Sequence, residues 1–315
     1  MRLASAALLP FALAACAGTP TPDASATAEV DSTPIEATSL LGEPLRRPTQ
    51  SAEASQRLED NLAVAQAAYD RAPTDADSII WLGRRLAYLG RYREAIEIFG
   101  AGIAGHPGDA RMYRHRGHRY ITVRELDSAI ADFTRASELI RGRPDEVEPD
   151  GAPNRYGIPT STLQSNIWYH LGLAHYLRGD FTRALEAYRQ CMTVSANDDM
   201  RVATADWLYM TLRRLDREAE AARVLEPIRR DMRILENDSY HRRLLMYKGE
   251  IPPDSLLAGD GDALQMATQG YGVGNWYLYN GDERRARETF ERVLSYGNWP
   301  AFGHIAAEAE LARAR

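Results

Sequence analysis

The 315-residue sequence predicts an all-α fold, an α-solenoid of helix–turn–helix pairs. Three observations carry that expectation. From about residue 56 onward apolar residues recur with the 3.6-residue spacing of amphipathic helices, and strand-like alternation does not stand out. The second observation is a repeat: Gly83 and Gly117, Ala95 and Ala129, Phe99 and Phe133, and Pro73 and Pro107 are each 34 residues apart. The third is composition. With 44% hydrophobic and 26% charged residues the chain can bury a core, and a net charge of −6 argues against a nucleic-acid partner. Two cysteines, Cys16 and Cys191, leave no disulfide framework.

The first element, residues 1–15, has the form of a signal peptide: Arg2, an apolar stretch, then Leu13-Ala14-Ala15-Cys16. That ending resembles a bacterial lipobox, which implies lipidation of Cys16 by palmitate-type acyl chains and a lipid-anchored protein of the cell envelope. More than one acyl chain makes such anchoring stable. Ala17 after the cysteine, by resemblance to sorted lipoproteins, favours the outer membrane facing the periplasm. Residues 16–55 follow, rich in Pro, Ala, Ser and Thr, with six acids against Arg46 and Arg47. This composition predicts a disordered linker that cannot bury enough apolar surface to offset its ordering entropy.

Residues 56–315 form the solenoid domain. Leu58 to Ala72 reads as a lone second helix ending at Pro73. Five pairs then follow, near 76–109, 110–143, 165–198, 202–235 and 267–300. Leu82-Gly83, Gly90, Tyr92, Ala95, Phe99 and Pro107 carry the pattern first, and Trp168, Leu171-Gly172, Gly179, Phe181, Ala184 and Tyr188 carry it most cleanly. The pattern resembles the tetratricopeptide repeat, in which small residues let two helices approach and an aromatic fills the gap to the next pair. The fourth copy is degenerate, and the fifth has Val273-Gly274, Tyr277, Gly281, Ala286 and Phe290. Arg116 stands where the second pair wants a core leucine, so its stem is expected to snorkel. Residues 144–164 are an acidic, proline-rich insert, read with equal weight as a disordered loop or as a flap whose acids meet Arg111 and Arg114. Residues 301–315 read as a solvating cap helix, with Glu308, Glu310 and Arg313 outward.

The C-terminal part resembles a narrower family, the bacterial outer-membrane lipoprotein known as new lipoprotein I (NlpI). The residues are Trp207-Leu208-Tyr209-Met210, residues 244–257, Trp276-Tyr277-Leu278-Tyr279-Asn280-Gly281-Asp282, and Ala307 to Arg313. The resemblance implies a homodimeric scaffold that gathers peptidoglycan hydrolases or a processing protease in cell-wall turnover. Two alternatives stay open: an assembly factor for outer-membrane proteins or a pilus secretin, and a surface lipoprotein that binds a glycan or peptide nutrient.

Such folds bind rather than catalyse, so the reading is a non-enzyme without cofactor. The first helix of each repeat lines the inner groove. In this register the partner-binding candidates are Arg84, Tyr88, Arg111, Arg114, His118, Tyr169, Tyr176, Tyr271, Asn275 and Tyr279. Arginine forks onto carboxylates and tyrosine offers contact area with a polar tip, which suits an extended or acidic peptide segment. His115 and His118 share a helix face but lack further ligands at metal-site spacing. Cys191 reads as a small core residue. Gly270, Gly272 and Gly274 read as packing glycines rather than a phosphate loop, and Asp260 and Asp262 lack the calcium-loop pattern.

Overall fold

The computed structural model describes residues 33–258 and 261–315. The lipobox, Cys16 and Asp260 lie outside the described residues. The described chain runs β1 (Ile35–Thr38), β2 (Pro44–Arg46), then fourteen helices: α1 (Ala52–Arg71), α2 (Ala76–Tyr88), α3 (Tyr92–Gly105), α4 (Ala110–Thr122), α5 (Leu126–Leu139), α6 (Leu163–Arg178), α7 (Phe181–Val194), α8 (Asp198–Arg214), α9 (Glu218–Leu225), α10 (Asp238–Tyr247), α11 (Pro253–Leu257), α12 (Ala263–Tyr279), α13 (Glu283–Ser295) and α14 (Phe302–Arg313). None of the described helices is long and apolar enough to cross a membrane.

The five expected repeats are α2/α3, α4/α5, α6/α7, α8/α9 and α12/α13, with α10 and α11 as the irregular stretch between the last two. The repeated glycines explain the pairing. A Cβ on Gly83 would stand 2.5 Å from Phe99 Cζ, and one on Gly172 would stand 2.7 Å from Tyr188 Cε1. Gly117 meets Phe133 and Gly274 meets Phe290 in the same way. Within four of the five pairs, all but α8/α9, the aromatic of the second helix therefore lies on the bare backbone of the first, a contact a methyl group would force apart. Gly272 has a different neighbour, the Arg243 side chain, so each glycine of the 270–274 string sits against a packed side chain. Arg116 reaches across its pair to Asp132, with both guanidinium contacts at 2.8 Å, and so replaces an apolar contact by a forked ion pair.

Two elements differ from the sequence expectation. Within the segment read as linker, β1 and β2 pair as an antiparallel hairpin. Its composition is poor in apolar residues, but the hairpin borrows the core of its neighbours. Ala37 is buried, and Glu36 takes Arg47 Nη2 at 2.6 Å and the backbone N–H of Arg93 at 3.1 Å. Trp299, far along the chain, donates its indole N–H to Arg46 O at 2.8 Å and stacks edge-on against Tyr92. The second difference is α14. It is an inner helix, packed against α12, α13 and α6, and not a solvating cap. Ile305, Ala306 and Ala307 are fully buried, as is Glu308 at 1% exposure. Its carboxylates are internal ion-pair partners: Glu308 to Arg124 at 2.6 Å and Glu310 to Arg214 at 2.7 Å.

Candidate arginine chamber of the inner face

The position of α14 divides the inner face in two. Toward the C-terminal end the expected groove residues are interior. Tyr271 Oη donates to Tyr176 Oη at 2.9 Å, and Asn275 Nδ2 donates to the same oxygen at 2.8 Å. All three side chains are closed off from solvent. Tyr169 donates to Tyr240 Oη at 3.1 Å, and Tyr279 lies under the Arg213 guanidinium at 4.5 Å from the ring centroid. The expectation that Tyr176, Tyr271 and Asn275 line an accessible groove is corrected: the chain's own last helix lies against them, with Glu310 beside Tyr271, while Tyr169 and Tyr279 pack against α10 and α8 instead. Periodicity places a residue on a helix face, but it does not say which later segment covers that face.

Toward the N-terminal end the inner face keeps a cavity. Arg84 and Tyr88 of α2 face Arg114, His115, His118 and Arg119 of α4 across a cavity of about 250 Å³. Asp75 and Asp109 cap these two helices through the N–H groups of Ser78 and Arg111, which sets both in the same register. The insert roofs the cavity with Glu148, Pro149, Asp150, Ala152 and residues 159–161. It is therefore an ordered flap. Val147 bridges to Thr162, and Glu148 N donates to Ser161 O at 3.2 Å. Thr162 caps α6 in a reciprocal capping box with Ser165.

The acids of the flap meet one of the two arginines expected. Glu148 Oε2 lies 2.9 Å from Arg114 Nε and accepts a hydrogen bond from Asn166 Nδ2 at 3.0 Å. Arg111 is turned away. It forks onto Asp109 and reaches Asp77 at 2.7 Å, outside the chamber, because both acids belong to its own face of the repeat. Arg84 packs its guanidinium 4.4 Å from the Trp81 centroid and donates to Tyr88 Oη at 3.4 Å. Arg119, which no spacing in the sequence singles out, completes the wall. Its guanidinium lies 5.7 Å from the Tyr92 centroid, and no carboxylate among the described residues pairs with it. Burial pushes Arg119 down to about 10 and also lowers Arg114. Cationic heads held away from water without a carboxylate in contact, as for Arg84 and Arg119, raise the affinity of the chamber for anions.

Behind the arginines lies an aromatic and histidine layer. His118 sits 4.6 Å, centroid to centroid, from His170 and 5.3 Å from Phe302. His115 stacks on Phe99, and His170 stacks on Phe133. Burial and the neighbouring arginine charges hold all three imidazoles below the ordinary histidine range, His170 at about 3. The 3.8 Å approach of His115 to Glu148 is thus a contact of a neutral ring. No group of three metal-ligating side chains occurs among the described residues. Cys191 is buried against Ser165 O and Thr204, and burial pushes its thiol up to about 11. That makes it a core residue rather than a nucleophile.

The histidine layer has a consequence for acid stability. His170 Nδ1 is 2.6 Å from Asn166 O, and Arg114 and Arg119 supply the facing charges. The folded ring stays neutral to about pH 3, whereas the unfolded ring protonates near 6.5. The stability it contributes is complete above pH 6.5 and is lost as pH falls through that window. Lowering the pH to 4.5 is expected to cost on the order of 2–3 kcal/mol through this residue. Urea unfolding at pH 7.5 and 4.5 checks this: His170→Leu should flatten the slope by that amount, and an unchanged slope would refute the assignment.

The tetratricopeptide repeat family model matches residues 165–198, which is the α6/α7 pair. A curated relative, BBSome complex member BBS4 of Bos taurus, is 23% identical over 155 residues, or 49% of this chain and 26% of that protein. The chain thus spans about a quarter of the length of the relative it matches. Among solved structures, the chain is similar to YrrB, a tetratricopeptide protein with an unusual peptide-binding site, at 15% identity and TM-score 0.42, covering 74% of this chain and 91% of that one. A tetratricopeptide repeat protein from Parabacteroides merdae matches at 15% identity and TM-score 0.44, over 82% of this chain and all of that one. The helix pairs described above therefore make a solenoid of tetratricopeptide repeats, a fold that serves protein–protein interaction.

Proposed function

We propose that the protein is a lipid-anchored envelope adaptor, acylated at Cys16 and facing the periplasm from the outer membrane. In this reading it binds protein partners at the arginine chamber of its first two repeats and gathers cell-wall hydrolases or a processing protease. The observation that carries the binding reading is the set Arg84, Arg114 and Arg119, converging on one inner-face cavity with Tyr88 beside it. Forked guanidinium groups beside an aromatic suit an acidic, extended chain. The lipobox supports the anchor, and the resemblance of the C-terminal part, from about residue 203, to new lipoprotein I supports the cell-wall role and a homodimer.

The test is affinity capture with the full-length chain from detergent-solubilised envelopes, beside Arg114→Glu and Arg119→Ala variants checked for folding by circular dichroism. Hydrolases or a protease should be enriched with the wild type and reduced at least fivefold with either variant. Recovery of outer-membrane assembly or secretin components instead would replace the cell-wall role by assembly. Recovery of no protein, with glycan or short peptides bound, would overturn the adaptor reading. Cys16→Ala should move the chain from the membrane to the soluble fraction, and a chain that stays membrane-bound would refute the anchor.

A further inference from the structure

We infer that residues Glu148-Pro149-Asp150-Gly151 of the flap are an internal pseudo-ligand, and that the chamber takes an extended acidic segment of a partner protein in their place. The incoming carboxylate would replace Glu148 on Arg114 and reach Arg119. This rests on the adaptor reading and names the ligand class and its built-in competitor.

The flap lies on the wall as a bound peptide would. Its side chain at 148 is held by Arg114 and Asn166, and its main chain is held by Arg85, whose Nη1 donates to Gly151 O at 3.0 Å. Gly151 presses so closely on Tyr88 that an added Cβ would overlap the phenol oxygen and come 2.8 Å from Arg84 Nη2. Glycine lets the backbone lie directly on the ends of Tyr88 and Arg84, which a side chain at 151 would push aside.

The hold is local and releasable. Pro149, Pro153 and Pro159 have no N–H to donate, and Pro149, Asp150, Ala152 and Pro153 are exposed. The far end of the flap is tied elsewhere: Asn197 Nδ2 donates to Thr160 O at 2.7 Å, and Glu236 accepts from Asn154 and Thr160. Residues 149–153 can therefore swing out, and the Glu148 side chain can rotate off Arg114, while the Glu148 N–H to Ser161 O bond and residues 154–162 stay docked. A segment with few backbone hydrogen bonds to its neighbours belongs to the low-stability end of a fold.

The pairing of charges, not their number, favours an incoming anion: of the three cavity arginines only Arg114 meets a carboxylate. Arg114 shares Glu148 with Asn166, whereas Arg84 and Arg119 face rings and a phenol. Asp150 and Glu236 also line the cavity, but neither pairs with an arginine there: Asp150 accepts from Ala152 N and Glu236 from Asn154 and Thr160, so among the described residues Arg84 and Arg119 have no carboxylate in contact. A cavity of about 250 Å³ also exceeds the roughly 30 Å³ share of one water several-fold, so there is room for a second acidic side chain beside the first.

The test uses a fluorescein-labelled peptide with the sequence of residues 146–153 and reads anisotropy on the full chain. Glu148→Gln weakens the internal competitor, so the peptide should bind that variant at least tenfold more tightly than the wild type. Adding Arg119→Ala should remove the gain, as should a peptide carrying Glu148→Gln. Deuterium uptake at residues 146–153 of the protein should rise when peptide is added, and thermal melts check that each variant is folded. Equal binding to wild type and Glu148→Gln would overturn the pseudo-ligand. Displacement of the peptide by free glutarate at the same concentration as by unlabelled peptide would assign the site to small dicarboxylates and overturn the partner segment. Peptide exchange without capture of envelope proteins would sink the cell-wall role alone, and capture without exchange would sink this inference alone.

Discussion

Replacing Arg243 by methionine is expected to lower folding stability by about 3–5 kcal/mol, the cost of leaving a buried charge without its partner. Arg243 of α10 and Asp206 of α8 are both 0% exposed, with Nη2 and Oδ2 2.9 Å apart. The guanidinium also donates to Thr268 O at 3.1 Å and lies within 6.0 Å of the Trp207, Tyr240 and Tyr271 ring centroids. Burial pushes the Asp206 carboxyl up, to about 7, against the pull of Arg243. A methionine there strands the carboxylate among rings. A double variant, Asp206→Leu with Arg243→Met, should recover most of the loss, because a matched apolar pair has no desolvation cost. Urea denaturation of the two variants decides the matter. A single variant within about 1 kcal/mol of wild type would show that the pair is solvated in solution.

Replacing Glu308 by alanine is expected to cost a similar amount, about 3–5 kcal/mol, and to loosen both ends of the described chain together. Glu308 accepts Arg124 Nε at 3.0 Å and Nη2 at 2.6 Å, the Leu40 backbone N–H at 3.2 Å, and His304 Nε2 at 3.2 Å. Burial alone would raise this carboxyl. Hydrogen bonds from His304 and Arg124, with the Arg124 charge, hold it below the ordinary range. Its contribution is therefore present above the unfolded carboxylate pKa and is lost as pH falls through the folded one. Arg124 itself has φ +67°, at the turn position where Gly90, Gly179 and Gly281 stand in other repeats. A non-glycine residue in that conformation costs about 1–2 kcal/mol, offset here by its bonds to Glu308, Trp299 O and Thr122 O. Hydrogen exchange should rise in the 35–46 hairpin and in α14 of Glu308→Ala. An outward cap helix would show neither effect.

The helix pairing is legible in the sequence where a local rule holds, as it does in four of the five pairs. Gly83 under Phe99 and Gly172 under Tyr188 are contacts between neighbours in sequence, so the 34-residue period carries them directly. The Glu148–Arg114 meeting was half legible, since acids in a long insert and arginines on an inner face suggest complementarity. Arg111 was equally basic and equally placed, and the nearer acids Asp77 and Asp109 took it. Arg124 in place of a turn glycine was a usable signal: a strained arginine needs a long-range partner, and that partner is in α14.

The sequence by itself determined the helix pairs, their order and the basic character of the first two repeats, because periodic packing and capping act over a few tens of residues. Only the tertiary structure decided what covers the inner face. Helix α14 fills the channel lined by Tyr176, Tyr271 and Asn275, the hairpin at 35–46 docks on Arg93 and Trp299, and the flap closes over Arg114. Each of these joins residues far apart in the chain, such as Arg124 to Glu308 across 184 positions. Such contacts form where burial and ion pairing offset the entropy of closing long loops, and no local periodicity records them.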